Sequence, residues 1–443
     1  MRCVRTRGVL VALIGIFLIS SETFAQQEGG PECDAGKILA KDKDFKYNRS
    51  SLHLVLIESE SFPRKKVVMD SWENYPFPDK YDKLDVNLTA FDPAKIPLSD
   101  EEIRDAGYST NPSDLEMRLK DITAGIYDPK DKLMPLKIEK VINKTHLARQ
   151  LVAQWFDLGD DSTFDMQLVQ DRGYYNATEM EAAIAKKSVR GLASLADAGE
   201  ELINNTFVVF SKLYFTPNEP VAKLFYQKAL SDAGKIGNVF ARMVAKKAAK
   251  AAYKKAKKGY SVWTLSWLYK LVWNPTIANT FYQTMWTDPK AFENSDIFKM
   301  EYVGRQGSRS LVTFSLTKNR TENEIIDVAT VRNIDNTFAK LQKEYDVFKP
   351  KVPVLTSQPL TAQIGMKEGL EGGEQFDVLE MSVDCDTYRT QYDVVDRVRV
   401  DKSMVWDNRY KAGLEENTSS LDATHFTGAN GKVAVGMLLK QIK

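Results

Sequence analysis

A strict alternation of side-chain type over residues 260–273 constrains the fold of this chain more than any other feature. Successive side chains of a β-strand point to opposite faces, so a period of two held over this length predicts a strand and excludes a helix. One face would carry polar groups such as Thr264, Ser266 and Lys270. We expect a core to cover the opposite face; left uncovered, that face would stack on sugars or contact a partner or a membrane. It carries large apolar side chains: Trp263, Leu265, Trp267, Tyr269, Leu271 and Trp273.

Other segments also predict strands. Asn205–Phe215 is apolar on both faces, which is typical of a central strand that is covered on both sides. The remaining predicted strands before residue 350 are Ser51–Glu58, Thr163–Arg172, Thr280–Trp286 (as a hairpin partner of the alternating strand), Phe298–Val303 and Leu311–Phe314.

Apolar side chains at every third or fourth position predict helices. Two helices also carry the spacing of a capping box, in which Ser or Asn is followed three residues later by Glu: Ser99 with Glu102, and Asn176 with Glu179. The predicted helices are Ser99–Ala106, Ser113–Ile122, Ile138–Phe156, one that begins at Asn176, Glu219–Lys258 and Glu324–Phe348.

Together these elements predict an α+β fold, with a mixed α/β sheet domain, a basic helical insertion and a small C-terminal β-barrel. Pro350 and Pro353 mark a boundary, after which short strands joined by glycine turns are expected at Leu360–Ile364, Gln375–Ser382, Val394–Val400 and Val433–Ile442. The predicted domains are 1–25, a signal peptide; 26–135, a tail, a strand and a proline-rich excursion; 136–350, the sheet domain with its insertion at 219–258; and 351–443, the barrel.

The N-terminal residues Met1–Ala25 predict export. Three arginines precede the apolar run Val9–Ile19, and the small residues Thr23 and Ala25 stand where a signal peptidase would cut. We therefore expect an exported protein, periplasmic or associated with an outer membrane, and this excludes most nucleotide-driven functions. A net charge of +1 gives no overall attraction to nucleic acid, which we do not expect as a partner.

Two cysteines, Cys33 and Cys385, remain after the predicted signal peptide. Export permits a disulfide between them, but two isolated thiols stay open as the alternative.

The sequence predicts no catalytic, cofactor-binding or metal-binding site. His53, His146 and His425 are far apart in the chain, and the zinc-protease and serine-hydrolase motifs do not occur. We interpret His53 and His146 as packed or surface residues. We interpret the aspartates at 157, 160, 161 and 165 as a solvated turn, with Ca²⁺ binding as the alternative. An exported hydrolase acting through Asp384 and Asp386 is the enzymatic alternative to a binding protein.

The end of the predicted helix Glu219–Lys258 is strongly basic. A solvated helix face is one interpretation, and contact with an anionic surface such as phospholipid or lipopolysaccharide is the other. The residues that would make this contact are Lys246, Lys247, Lys250, Lys254, Lys255, Lys257 and Lys258.

Two stretches carry a resemblance to known families. Thr163–Gly173, the capped helix after it and Thr206–Phe210 together resemble the α/β domain of the curli secretion channel protein (a CsgG-like domain). Ile364–Glu380 with Asp396–Val400 is similar to the SH3-like terminal barrel of the flagellar accessory protein FlgT and its relatives. The combination of these two domains in one chain also resembles envelope proteins of the Bacteroidetes.

The resemblance implies an exported, non-enzymatic scaffold or assembly accessory of the cell envelope that acts through contacts with other envelope proteins. Peripheral contact with a membrane through the basic helix is the alternative that the residues themselves support. The sequence leaves the oligomeric state open.

Overall fold

The computed structural model describes residues 50–111, 128–159, 163–166, 168–169, 201–312, 321–383, 390–414 and 421–442. These residues form an α+β fold that consists of a mixed six-stranded sheet and a closed six-stranded antiparallel barrel, as the sequence predicts. In the described part of the chain, no helix is both long enough and apolar enough to cross a membrane.

The sheet domain contains six strands. They are β1 (Ser51–Ile57), β2 (Asp82–Lys83), β3 (Ala90–Phe91), β4 (Thr206–Pro217), β5 (Tyr260–Leu271) and β6 (Met300–Val312).

Along the chain, the described helices of the sheet domain lie between and after these strands. They are α1 (Lys65–Glu73), α2 (Asp100–Asp105), α3 (Met134–Thr145), α4 (Leu147–Trp155), α5 (Glu219–Gly234), α6 (Val239–Ala256), α7 (Pro275–Thr280), α8 (Pro289–Glu293) and α9 (Glu322–Glu344).

The strand order in the sheet is β2-β1-β4-β5-β6, and β3 also pairs with β1. β1 runs parallel to β4, whereas β4, β5 and β6 are successive antiparallel neighbours. The register places Phe210 of β4 opposite Trp267 of β5. The long strand predicted from the alternation is therefore an interior strand, and β4 is a central one, as its apolar faces indicate.

The aromatic face of β5 lies in a core. Trp267 and Tyr269 pack with Phe210 and with residues of α3 and α4, and none of these three side chains is exposed. The opposite face of the sheet packs Phe207 and Leu268 against α9. The core interpretation of the aromatic face is therefore confirmed, and the alternatives of a sugar-stacking or partner-binding face are wrong.

The predicted single helix Ile138–Phe156 is wrong in one respect, since it is two helices, α3 and α4. His146 between them has φ of 51°, in the left-handed region that ends a helix. Its backbone N–H still bonds to the carbonyl oxygen of Asn143, so the chain turns within one residue. Both α3 and α4 keep the predicted apolar face, as the burial of Ile142 and Leu151 in the same core shows.

The predicted strand Thr280–Trp286 is also wrong. Asn274 caps α7 by accepting a hydrogen bond from Ile277 N, and a π-helical turn, Phe281–Met285, continues the helix. Phe281 and Met285 are four residues apart, so the helical turn brings both into the core. A short apolar run fits a strand or a helix equally well, and here the core on one side selects the helix.

Of the predicted strand Thr163–Arg172, the described residues do not form a strand, and 168–169 are helical. Both edges of β1 are already occupied, by β4 on one side and by β2 and β3 on the other. Phe164 instead packs edge-on against Phe281 and Phe292, with ring centroids 5.1 and 5.0 Å apart. The helices predicted near Ser113 and at Asn176 lie outside the described residues.

The predicted basic helix Glu219–Lys258 is an antiparallel pair, α5 and α6, with a break at residues 235–238. Asn238 caps α6 by accepting a hydrogen bond from Ala241 N. Gly259, at φ of +84°, ends the pair and leads into β5, as predicted.

The barrel follows α9. Its strands are β7 (Lys351–Ser357), β8 (Leu360–Ala362), β9 (Gln375–Val383), β10 (Thr390–Val400), β11 (Thr424–Thr427) and β12 (Leu438–Gln441). Its strand order is β10-β11-β8-β7-β12-β9, and every pairing is antiparallel. The sequence predicts four of the strands and misses β7 and β11. Proline is rare within strands, so Pro353 argues against a strand where β7 lies, and β11 has only four residues.

Polar contacts attach the barrel to α9. Lys343 Nζ donates to Gly369 O at 2.6 Å, and Arg332 Nε donates to Tyr410 O at 3.0 Å. Lys411 Nζ forms an ion pair with Asp327 at 2.8 Å.

Gly304 of β6 allows a close approach of Tyr345, whose hydroxyl lies over the strand backbone. The Tyr345 hydroxyl accepts from Arg305 N at 2.9 Å and donates to Arg305 O at 3.0 Å. A Cβ on residue 304 would lie 2.2 Å from Cζ and the hydroxyl of Tyr345. We expect Gly304→Ala to lower the free energy of unfolding by about 1–3 kcal/mol in denaturant titrations, because the tyrosine must move and lose both hydrogen bonds.

Two variants control this prediction. Gly234→Ala, where an added Cβ meets no atom within 4 Å, should leave stability unchanged or slightly raised. In a Tyr345→Phe background the hydrogen bonds are already absent, so Gly304→Ala should cost less there. An equal cost in both backgrounds would contradict the role of the tyrosine hydroxyl.

Asp335 on α9 makes stability depend on pH. The carboxylate is buried and accepts from the Tyr75 hydroxyl at 2.8 Å. Burial raises its pKa from 3.8 to about 6. The folded state therefore binds this proton more tightly than the unfolded state. This contribution is complete below about pH 4 and is lost as the pH rises to about 6.

Asp335→Asn cannot titrate and keeps an oxygen that accepts from Tyr75. Relative to the native protein, the variant should gain up to about 3 kcal/mol of stability between pH 4 and pH 7.5. Urea unfolding at both pH values measures the gain, with Asp70→Asn as the control, because the Asp70 side chain is 49% exposed. A difference between variant and native protein that is the same at both pH values would disprove the assignment.

Candidate binding sites

The helix pair α5–α6, together with Lys257 and Lys258, is named the basic arm. Tyr226 of α5 stacks on Tyr253 of α6 with ring centroids 4.9 Å apart, and Tyr253 Oη donates to Glu219 Oε1 at 3.1 Å. These contacts join the start of α5 to the end of α6. The turn between the two helices is therefore at the far end of the arm from the sheet.

The arm concentrates positive charge. Residues 219–258 hold ten lysines and one arginine against Glu219 and Asp232, which gives a formal charge of +9 in a chain whose total is +1. All seven lysines predicted to meet an anionic surface are exposed. Such a local excess attracts anions even though the whole protein is nearly neutral.

The apolar side chains of α6 are exposed as well. The helix buries none of its residues, and Phe240 is 71% exposed and Met243 is 60% exposed. Met243, Lys247, Lys250 and Lys254 follow one another at intervals of four and three residues, so they share one face. This face is apolar near the tip of the arm and basic toward the sheet. The exposed apolar residues at the tip are Val239, Phe240, Met243 and Val244.

Asn218 fixes the two ends of the arm to the sheet. Its backbone N–H bonds to Gly259 O at 3.1 Å, and its side chain donates to Lys258 O at 3.0 Å. The Oδ1 atom accepts from the Ser261 hydroxyl and from Arg309 at 3.2 Å. The arm therefore leaves the sheet from a hydrogen-bonded base.

A second candidate site lies beside this base, where the apolar face of β4 becomes polar. Val208 and Phe210 belong to the core, whereas Lys212, Tyr214 and Thr216 continue the same face. No motif in the sequence marks these three residues. The available signal was one lysine in the middle of a strand whose other positions are almost all apolar.

Lys212 and Tyr214 both bond to Asp131, in the 3₁₀ turn Pro129–Leu133 before α3. Lys212 Nζ lies 2.6 Å from Asp131 Oδ1, and the Tyr214 hydroxyl donates to Oδ2 at 2.7 Å. Asp131 is fully buried. Burial raises the pKa of Asp131, although both hydrogen bonds act in the opposite direction, and burial also raises the pKa of Tyr214.

A cavity of about 390 Å³ opens next to this cluster. Its lining includes the polar residues Asp128, Lys212 and Thr216, and Glu60 also lines it. Glu60 pairs with Lys130 at 3.1 Å. The rest of the lining is mainly apolar and includes Phe62, Pro63, Pro129, Pro217, Val221 and Leu224. Since the last two belong to α5, the cavity adjoins the base of the arm.

His53 lies in the interior of the sheet domain. His53 of β1 is buried; its Nδ1 lies 3.0 Å from Leu84 O and its Nε2 lies 2.7 Å from Leu88 O, and burial lowers its pKa. Its two ring nitrogens hold the segment 84–88 against β1, as expected of a packed histidine.

His146 lines a second cavity of about 470 Å³, together with Arg149, Asp296 and Lys299. His425 belongs to β11 of the barrel. The three histidines thus lie in different elements of the fold.

Several predicted positions lie outside the described residues: Cys33, Cys385, Asp384, Asp386, Asp160 and Asp161. Within the described ranges, no group of three or more His, Cys, Asp or Glu side chains is arranged to hold a metal ion. No family model matches the chain, and no curated protein matches it.

The pairing of Lys212 with Asp131 predicts how substitutions at these two residues change the free energy of unfolding. Asp131→Ala would leave a lysine buried without its partner, so we expect a loss of about 3–5 kcal/mol in urea unfolding. Asp131→Leu combined with Lys212→Met removes both charges and should recover most of that loss. Equal stability of Asp131→Ala and the native protein would show that the pair is not buried as described.

Proposed function

We propose that this protein is an exported, non-enzymatic scaffold of the cell envelope that attaches to an anionic phospholipid surface through the basic arm. The observation that carries the proposal is the exposed face of α6, which combines four apolar side chains at the tip with lysines along the shaft. A lysine near an anionic bilayer contributes about 1 kcal/mol, so several act together.

The apolar tip favours a lipid surface over a soluble polyanion. A polyanion would be bound by the lysines alone, and exposed Phe240 and Met243 would gain nothing from it. At a membrane, the tip can enter the boundary between headgroups and acyl chains while the lysines remain among the headgroups. The arm therefore contains the two signals that a lasting peripheral attachment needs.

The rest of the molecule supports a scaffold role. The sheet is covered on both faces, and polar contacts join the barrel to α9. Contacts with envelope proteins, as the family resemblance implies, would use surfaces other than the arm. The predicted signal peptide at residues 1–25 supports export to this location.

Binding of the purified protein to vesicles tests the attachment. The protein should float with vesicles that contain 30% phosphatidylglycerol and should not float with pure phosphatidylcholine, and binding should weaken as salt rises. Changing Lys247, Lys250 and Lys254 to Glu should weaken binding at least tenfold. A triple variant that binds as the native protein does would overturn the proposal.

The matched control changes Lys66, Lys83 and Lys95 to Glu. These lysines are exposed but lie outside the arm. Both triple variants lower the formal charge from +1 to −5, so a difference between them reports position rather than net charge. The control should keep most of the binding, and an equal loss in both variants would contradict a site on the arm.

The tip is tested separately. Phe240→Ser with Met243→Ser should weaken vesicle binding without changing the affinity for heparin, a soluble polyanion. Both residues are exposed and pack against no core, so folding should be unaffected. Unchanged vesicle binding would remove the lipid-insertion part of the proposal.

A further inference from the structure

We infer that the cavity beside Lys212 and Thr216 binds a small organic amine, a protonated primary amine carried on an apolar body about the size of phenethylamine. The inference concerns a site separate from the lysines of the arm, and it holds whether or not the arm binds lipid. Three observations lead to it: the character of the walls, the charge balance and an unused hydroxyl.

The walls suit an apolar body. Phenylalanine, proline, valine and leucine side chains form most of the lining, and the volume of about 390 Å³ falls within the range of small-molecule sites. The walls come from three separate parts of the chain, the segment after β1, the 3₁₀ turn before α3 and the β4–α5 junction. The cavity is thus a feature of the folded domain rather than of one loop.

The charges favour a cation. The cluster around the cavity holds three carboxylates, Glu60, Asp128 and Asp131, against two ammonium groups, Lys130 and Lys212. Glu60 pairs with Lys130, and Asp131 pairs with Lys212. Asp128 also lies 3.9 Å from Lys212, so two carboxylates share this one ammonium group and the five groups together carry a net charge of −1.

One carboxylate oxygen of Asp128 is available to accept a hydrogen bond from a bound ammonium group. Its Oδ1 caps the 3₁₀ turn by accepting from Lys130 N at 2.9 Å. Its Oδ2 lies 3.9 Å from Lys212 Nζ, which is beyond hydrogen-bonding distance. A bound ammonium group could donate to this oxygen while the cap remains in place.

Thr216 supplies a second acceptor. The residue is 5% exposed and lines the cavity, and its buried Oγ1 has no hydrogen-bond partner among the described residues. A buried hydroxyl without a partner costs about 1–3 kcal/mol. An ammonium group has three N–H donors, so it has enough donors for Asp128 and, once the Thr216 side chain turns toward the cavity, for this hydroxyl as well.

Calorimetric titration of the purified protein tests the inference with three probes of one shape. Phenethylamine should bind, whereas 2-phenylethanol should bind at least tenfold more weakly and 3-phenylpropionate should not bind. Absence of phenethylamine binding would overturn the inference, and so would binding of the carboxylate as tight as that of the amine.

Two variants locate the site. Asp128→Asn keeps a capping oxygen but loses the charge, so it should weaken phenethylamine binding at least tenfold. Asp288→Asn is the matched control, because Asp288 caps α8 in the same way and does not line the cavity. Val221→Trp should abolish binding by filling the cavity, provided that circular dichroism shows a native fold. Should that variant misfold, the Asp128 and Asp288 pair decides alone.

Equal affinity in the Asp128 and Asp288 variants would place the amine elsewhere and overturn the inference. The vesicle assay separates this result from the proposed function, since Asp128→Asn leaves every lysine of the arm unchanged. A protein that loses amine binding but still floats with anionic vesicles supports both proposals.

Discussion

The burial of β4 and β5 on both faces is the constraint on which the rest of this structure depends. Each strand is twelve residues long, and they pair along almost their whole length. Two apolar faces need two covering layers, which α3 and α4 provide on one side and α9 on the other. Barrel, arm and cavity are all positioned relative to this pair.

The same burial explains the polar cluster on β4. An ionised lysine cannot be left in an interior without a partner, so Lys212 requires a carboxylate at close range. Asp131 meets that need, and Tyr214 donates to its second oxygen. The apolar packing ends at this cluster, and the cavity begins there. The transition from core to site is therefore a consequence of one charged residue in a buried strand.

The arm shows how a binding device can be added without disturbing the sheet. It connects β4 to β5, which are antiparallel neighbours, so a short turn would suffice in its place. Asn218 and Arg309 close the base, and the strands retain their register below it. The strongly basic surface is thereby kept apart from the aspartates around the cavity, although α5 contributes to both.

The sequence by itself determined the elements whose signal is local and long. The alternation of β5 and the apolar faces of β4 determined the interior of the sheet, and the capping box at Ser99 begins a helix where the sequence places it. Short signals failed: Thr280–Trp286 reads as a strand or a helix until a core selects one, and the left-handed turn at His146 has no pattern that precedes it.

The candidate sites divide in the same way. The lysines of the arm were identified from the sequence because they cluster within a few turns of one helix. Lys212 and Asp131 are 81 residues apart, and Asn218 and Arg309 are 91 residues apart. No local period links such pairs. Only the tertiary structure decided that they meet, because the packing of layers on a shared sheet brings distant segments together.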